Sequence, residues 1–460
     1  MIQRKRWALG LISLPLLLSP VFAEPLHREQ RVLPLPGHLD AVPMVNDNNP
    51  ELIEQDGILL STFSGTSQDS SIDVTLNGRF DLFSHHVYAG NDDSLESTLW
   101  LALLMAPQGN TPVTLTLIGG STALSQATER GQTAAPFLPL PARMHETTAI
   151  VASGPGSRVA GDLLNRRTAA ELTSRTWILE PGEPSLVLQL PIPVKGLDPL
   201  LNGRNLQLRL HSSGPVELAT LAAHGQGQTP PSLESWTDLL ARGELSRKEH
   251  RPTPRGSRGA ITYSRVSGVQ IGSRWQARLR DPAQDALSVG EQPVSWPISS
   301  IERGSLGTGQ IQTAELQAFY PGTAWAAHGN YGVEYDLTLP LLNTGADQQR
   351  LVISLDSPLK TDRPSRGLRF DSNVTGPVMF RGPVEVSGLN DQNGRVLGRQ
   401  IIHLVLRRGQ QGPPLGEVSL QPGEQKDVRI RLVYPADATP PQVITVQPVK
   451  DSCTREEICP

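Results

Sequence analysis

Short apolar runs and period-two alternation, broken by turn residues every few positions, predict strands over most of the chain. The first are Ile58-Leu59-Leu60, Ile72–Leu76, Arg79–Tyr88, Leu99–Met105 and Val113–Leu117. Asn77-Gly78 between the second and third predicts a tight hairpin. Leu99–Met105 turns through Pro107-Gln108-Gly109-Asn110 into Val113–Leu117, and this pair has an echo. Val333–Leu341 turns through Asn343-Thr344-Gly345 into Leu351–Leu355. A second echo joins Trp177–Pro191 with Val418–Leu432. Each of these reads as a strand, a Pro-Gly-Glu turn and a strand, since Pro presets φ at one turn position and Gly accepts positive φ at the next. Leu117 precedes the first such turn (Pro181) by 64 residues, and Leu355 precedes the second (Pro422) by 67. Two hairpins followed at nearly equal distance by two such turns predict a duplicated all-β unit.

The fold expected is therefore mostly β: two tandem immunoglobulin-like β-sandwiches with an aromatic-rich segment between them. An outer-membrane barrel is the rival. Forty prolines count against it, because Pro removes ladder donors, and the tail lacks a terminal aromatic. Residues 1–23 read as a secretory signal peptide, with basic Arg4-Lys5-Arg6, apolar Trp7–Leu18 and a Val21-Phe22-Ala23 cleavage site. Residues 24–56 form an extended arm over the first domain, and 57–225 the first sandwich. Within the latter, Asn205–Leu210 and Val216–Leu221 join through a Ser212–Pro215 turn. Residues 226–260 are a linker with a basic run and one short helix, Ser232–Arg242, capped by Ser232 and apolar along Trp236, Leu239 and Leu240. The segment 261–325 is aromatic-rich and β, 326–448 is the second sandwich, and 449–460 is a tail.

Composition then narrows the partners. The formal charge is −4, and −7 once Arg4, Lys5 and Arg6 are removed, which excludes a general nucleic-acid binder. No second apolar run spans a membrane. Both cysteines, Cys453 and Cys459, lie in the tail, and export predicts that they pair. No cofactor motif is present and no metal site is expected.

Candidate chemistry is sparse. If Ala327–Asp336 is extended, His328, Asn330, Glu334 and Asp336 share one face while Val333 and Tyr335 point inward. A His, an amide and two carboxylates could bind a cation or a sugar, with Trp325 or Tyr331 as a stacking platform; the same pattern also describes the wet face of an ordinary strand. Asn46–Glu51 hints at a calcium loop but lacks the EF-hand spacing, and reads better as a turn. His85-His86 on a strand predicts one buried and one exposed ring. Gly119-Gly120-Ser121 approaches a nucleophile elbow without the helix to follow. Paired carboxylates leave no local signature, so glycoside hydrolysis stays open.

Pro50-Glu51-Leu52, Gly57–Phe63, Gly304–Gln310, His328–Asp336 and Phe380–Pro383 resemble motifs of a family of exported cyanobacterial proteins classed as a domain of unknown function. The resemblance covers most of the chain and implies export from a photosynthetic bacterium; it supplies no activity and no catalytic residue. The expectation is a periplasmic or extracellular binding or scaffolding protein whose partner is an envelope polysaccharide or envelope protein. The alternatives are carbohydrate binding through the aromatic middle and a glycosidase-like enzyme.

Overall fold

The computed structural model describes residues 25–64, 69–90, 97–126, 142–145, 154–254, 256–363, 366–391 and 393–449. The expected signal peptide and the Cys453–Cys459 pair lie outside the described residues. Within them the protein is mostly β, with two short helices. Residues 25–56 hold β1 (Leu26–Glu29), β2 (Arg31–Val32), β3 (His38–Leu39), β4 (Pro43–Asp47) and β5 (Leu52–Ile53). Next come β6 (Gly57–Ser61), β7 (Leu76–Ala89), β8 (Leu99–Pro107), β9 (Val113–Leu124) and β10 (Arg143–His145). Helix α1 (Pro155–Asn165) precedes β11 (Thr176–Leu179), β12 (Ser185–Ile192), β13 (Leu201–His224) and α2 (Leu233–Arg242). The aromatic-rich segment carries β14 (Ser267–Ile271), β15 (Arg274–Arg278), β16 (Val294–Ile298) and β17 (Leu316–Phe319). The last part holds β18 (Glu334–Leu342), β19 (Gln349–Asp356), β20 (Gly367–Phe370), β21 (Val378–Ser387) and β22 (Gln400–Arg407). It closes with β23 (Pro414–Leu420), β24 (Gln425–Val433) and β25 (Gln442–Pro448).

These strands build three large sheets and one two-stranded ribbon, β1-β20. An eleven-stranded sheet follows the path β11-β9-β13-β7-β4-β14-β17, with β5, β6, β8 and β12 off that path. A seven-stranded sheet runs β10-β22-β21-β24-β18-β15-β3, and a five-stranded one β2-β16-β25-β19-β23. Alternation decides what each face buries. Tyr335, Leu337, Val384 and Ile430 of the seven-stranded sheet share a core with Trp296, Ile353, Val418 and Ile444 of the five-stranded sheet. A second core gathers Leu82, Leu115, Leu117 and Leu208 with Leu60, Leu103, Met105, Leu190 and Leu218.

The turns behave differently from the local expectation. β8 and β9 do not pair with each other, and neither do β18 and β19; the two expected hairpins are arches. The same holds at both Pro-Gly-Glu turns. β12 lies on β8 and β11 on β9; in the later half β24 lies on β18 and β23 on β19. The sequence echo is thus a repeat of nested arches. Asn77-Gly78 makes no hairpin either, because β7 runs straight through it. Gly78 takes φ +68 where β13 bulges between Ser212 and Val216. That bulge also merges the two strands expected at 205–221 into one 24-residue strand. Its first half pairs β7 and β9, its second half β6 and β8, so β13 spans both layers.

One connecting piece needs correction. Residues 25–56 are not an arm over the first domain, since β1, β2 and β3 pair β20, β16 and β15, while β4 and β5 pair β7. The aromatic-rich segment gives β14 and β17 to the eleven-stranded sheet, β15 to the seven-stranded and β16 to the five-stranded. Helix α2 matches its sequence pattern: Ser232 Oγ accepts from Ser235 N at 3.1 Å, Gly243 ends it at φ +68, and Trp236, Leu239 and Leu240 are buried. Trp236 covers Ile58, Leu104 and Leu221. Helix α1 was not foreseen. It wedges Val159, Ala160, Leu163 and Leu164 between Ala123 of β9 and Ile401 and Val433 of the seven-stranded sheet.

Candidate functional site

The six residues that the sequence groups together separate in space. β18 begins at Glu334, and period two sends Tyr335 and Leu337 into the core and Glu334 and Asp336 to the opposite face. Both carboxylates are buried there among arginines from three strands, β13, β15 and β24. Glu334 Oε1 accepts from Arg431 Nη2 at 2.8 Å, and its Oε2 from Arg209 Nη2 of β13 at 2.7 Å. Asp336 is gripped by Arg429 through Nε and Nη2, both at 2.7 Å, and by Arg274. Arg431 continues to Glu385 at 3.0 Å, and Arg399 closes the chain on Glu385 at 2.8 Å. Arg399 also caps α1, donating to the Leu164 carbonyl at 2.9 Å. The result is one alternating ladder of charge across the sheet.

Burial alone raises a carboxyl pKa, but here the arginines outweigh it. Glu334 is held below its ordinary value by Arg209 and Arg431, and Asp336 by Arg429 and Arg274. The surrounding arginines therefore favour the ionised form of both carboxylates.

Beside the ladder lies an open depression of about 570 Å³, lined by Gln276, Ala277, Arg278, Asp336, Thr338 and Arg429. Register explains that lining. Arg278 of β15 stands opposite Thr338 of β18, which stands opposite Arg429 of β24, which stands opposite Ser387 of β21. The adjacent row reads Gln276, Asp336, Arg431, Glu385.

The other sequence candidates sit inside the protein. Asn330 is buried, its Nδ2 donating to Tyr335 Oη at 2.8 Å and to the Gln312 carbonyl at 3.1 Å. Tyr331 is buried, stacks on Phe83 of β7 at 6.4 Å and donates its hydroxyl to the Ala438 carbonyl at 3.1 Å. Gly332, at φ +78, permits this approach: a Cβ there would stand 2.8 Å from the Phe83 ring. His328 packs edge-on against Tyr331 at 5.1 Å, half-buried, and burial pushes its imidazole down to about 4. Trp325 is half-buried, and its carbonyl accepts from Leu316 N at 2.8 Å.

Three motifs singled out separately in the sequence meet beside this aromatic group. His86 Nε2 lies 3.1 Å from Asp47 Oδ2 and its Nδ1 2.7 Å from the Pro50 carbonyl. Lys248, from the basic run, places its ammonium on the Asn49 carbonyl at 2.8 Å and 4.9 Å over the Tyr320 ring. Burial lowers that ammonium to about 8, although Asp47 favours its charge. Burial also raises the Asp47 carboxyl, but His86 and Lys248 bring it below its ordinary value. His85 is buried too, against the expectation of one exposed ring, because both faces of β7 are covered at this level; its pKa is lowered by burial. Several buried atoms here make no hydrogen bond within the protein: Asn48 Oδ1, His85 Nδ1, Ser264 Oγ and His328 Nδ1. Among the described residues no group of three or more His, Cys, Asp or Glu is placed to hold a metal ion, and no helix is long and apolar enough to cross a membrane.

Ser121 makes no nucleophile elbow. It lies within β9, fully buried, and donates to Asp162 Oδ2 of α1 at 2.6 Å. What sequence reasoning missed is the arginines Arg209, Arg274, Arg278, Arg429 and Arg431. The alternation of Val428, Ile430 and Leu432 with Arg429 and Arg431 was the one available signal.

A search of curated proteins gives no match. Residues 30–448 match a family model described as "Protein of unknown function (DUF3370)", a span that takes in every element from β2 to β25. The chain therefore belongs to this DUF3370 family.

Proposed function

We propose that the protein is exported and acts in the periplasm or outside the cell as a non-enzymatic binding or scaffolding protein. In this reading it is built of two tandem immunoglobulin-like β-sandwiches, and its partner is an envelope polysaccharide or an envelope protein. The basic and apolar halves of residues 1–23 support export. The resemblance of Pro50–Leu52, Gly57–Phe63 and the other motifs extends the proposal to a cyanobacterial source. The observation that carries the reading is the state of Glu334 and Asp336: each is sealed by two or more arginines and held below its ordinary pKa. Carboxylates so neutralised serve architecture and leave the polar sheet face above them open for contact.

Carbohydrate binding through the aromatic middle loses one of its two platforms, because Tyr331 is enclosed by Phe83 and Tyr434. Trp325 keeps that reading testable. The test is to incubate the full chain with isolated envelope fractions and with a panel of glycans, measuring retention and released reducing ends together. Retention without turnover is expected. Turnover lost in a Glu334→Gln/Asp336→Asn double variant that still folds would replace the binding role with a hydrolase.

A further inference from the structure

The outer face of the seven-stranded sheet differs sharply between two neighbouring rows. One row holds Asp336 and Glu385 with Arg431 between them, so its charges answer each other. The next row reads Arg278, Thr338, Arg429, Ser387: two cations, two hydroxyls and no anion. Strands lie about 4.8 Å apart, so the Arg278 and Arg429 backbones stand about 10 Å apart with Thr338 between. Guanidinium side chains are long enough to reach across that spacing, and all three residues line the depression.

Both arginines are paired with a carboxylate, yet each keeps about half of its side chain exposed. Arg429 uses Nε and Nη2 on Asp336, yet its side chain is half exposed. Arg278 reaches Asp427 through two long bonds of 3.2 Å, and both partners are about half exposed, so that pair is weakly held in water. Gln276 and Thr338 add neutral donors and acceptors at the floor and side. The lining is mostly polar: Ala277 is its one aliphatic member, and its one anion, Asp336, is already held by Arg274 and Arg429.

We propose that the row Arg278–Thr338–Arg429 is an anion subsite that takes the acidic group of an envelope polysaccharide. The two guanidiniums hold the carboxylate, sulfate or phosphate oxygens, and Thr338 and Gln276 hold neighbouring sugar hydroxyls. Asp427 is the internal competitor that the ligand displaces from Arg278. This rests on the binding role proposed above and names its substrate class.

The experiment measures binding of the full chain to polygalacturonate, dextran sulfate, polyphosphate and neutral dextran at low and high salt. Arg278→Ala, Asp427→Ala and the parent are compared, and each is also tested on isolated envelope fractions. Binding to at least one polyanion is expected, weakened by salt. Arg278→Ala weakens it about tenfold, while Asp427→Ala strengthens it several-fold by freeing Arg278. Both positions are exposed, so neither variant endangers the fold, and a purely structural pair would not move affinity in opposite directions. The carboxylate, sulfate and phosphate arms tell which acid is recognised. Equal affinity for neutral dextran, or identical affinity in all three proteins, overturns the subsite. Envelope retention that persists unchanged in both variants overturns the subsite and leaves the binding role standing. Absence of any retention by the parent overturns the binding role itself.

Discussion

Two polar regions of the molecule handle buried charge in opposite ways. On the outer face of the seven-stranded sheet, Glu334, Asp336 and Glu385 alternate with Arg209, Arg274, Arg399, Arg429 and Arg431, and each carboxylate has at least two cations. Against the aromatic group of Phe83, Tyr331 and Tyr263, His85 and His328 are instead driven towards neutrality, with ring nitrogens unmatched inside the protein. The first region keeps its charges by pairing them; in the second, burial disfavours the charged form of the two imidazoles. The first presents the half-exposed guanidiniums of Arg278 and Arg429, and it carries the proposed contact face.

The comparison breaks most readily at Glu334. Glu334→Ala strips Arg209 and Arg431 of a shared partner, and the Arg431 side chain is only 14% exposed. Removing one side of a buried pair costs about 3–5 kcal/mol. Denaturant unfolding of the variant should show that loss as a lower midpoint with an unchanged slope. A change below about 1 kcal/mol would mean that the ladder is solvated and adds little.

Lys248 tests the second region at its charged edge, with a smaller effect. Lys248→Met keeps the stem over Tyr320 but withdraws the ammonium from the Asn49 and Leu59 carbonyls and from Asp47. Hydrogen bonds to charged groups contribute about 1.5–3 kcal/mol, and a loss of that order is expected in the same unfolding measurement. Stability equal to the parent would make this ammonium a neutral passenger whose burial cost cancels its bonds.

How much of this was readable beforehand follows from the range of each cause. Alternation is local, so the inward set Val333, Tyr335, Leu337 and the outward pair Glu334, Asp336 could be read from the sequence. The Ser232 cap and the Trp236-Leu239-Leu240 stripe were equally local. What a turn connects was not. Pro-Gly-Glu sets a chain reversal, but whether the strands pair or arch apart depends on partners 60 or more residues distant, such as Thr116 of β9 for Thr176 of β11. The parallel register that sets Arg274 beside Glu334 joins segments 60 residues apart, with no local trace. Helix α1 was hidden for a related reason. It begins Pro155-Gly156 and carries Gly161, a weak helix former, and its stability comes from packing against β9 and the seven-stranded sheet. The six site candidates scattered because period two was extended back through Gly329 and Gly332, where the chain turns before β18 begins.

Mild acid separates the two regions by the smallest and most specific effect. The folded pKa values of His85 and His328 lie below the ordinary 6.5, with His328 at about 4, so the folded state binds fewer protons than the unfolded chain. Their contribution is therefore fully present above pH 6.5 and is lost as pH falls from there towards 4. Glu334 and Asp336 also have lowered values, but their unfolded references are 4.5 and 3.8, so the ladder's contribution is intact until pH drops below about 4.5. Between pH 6.5 and 5 Glu334 and Asp336 do not respond, whereas the buried histidines do: His85 and His328 here, and His403 of β22. His328→Gln should remove part of the parent's decline across that interval, on the order of 1 kcal/mol once partial exposure is allowed for, and should leave the steeper loss below pH 4.5 in place. A decline of the same size in parent and variant would assign the mild-acid response to His85 or to His403, which burial also lowers to about 4, and would break the link between the His328 ring and the Tyr331 packing.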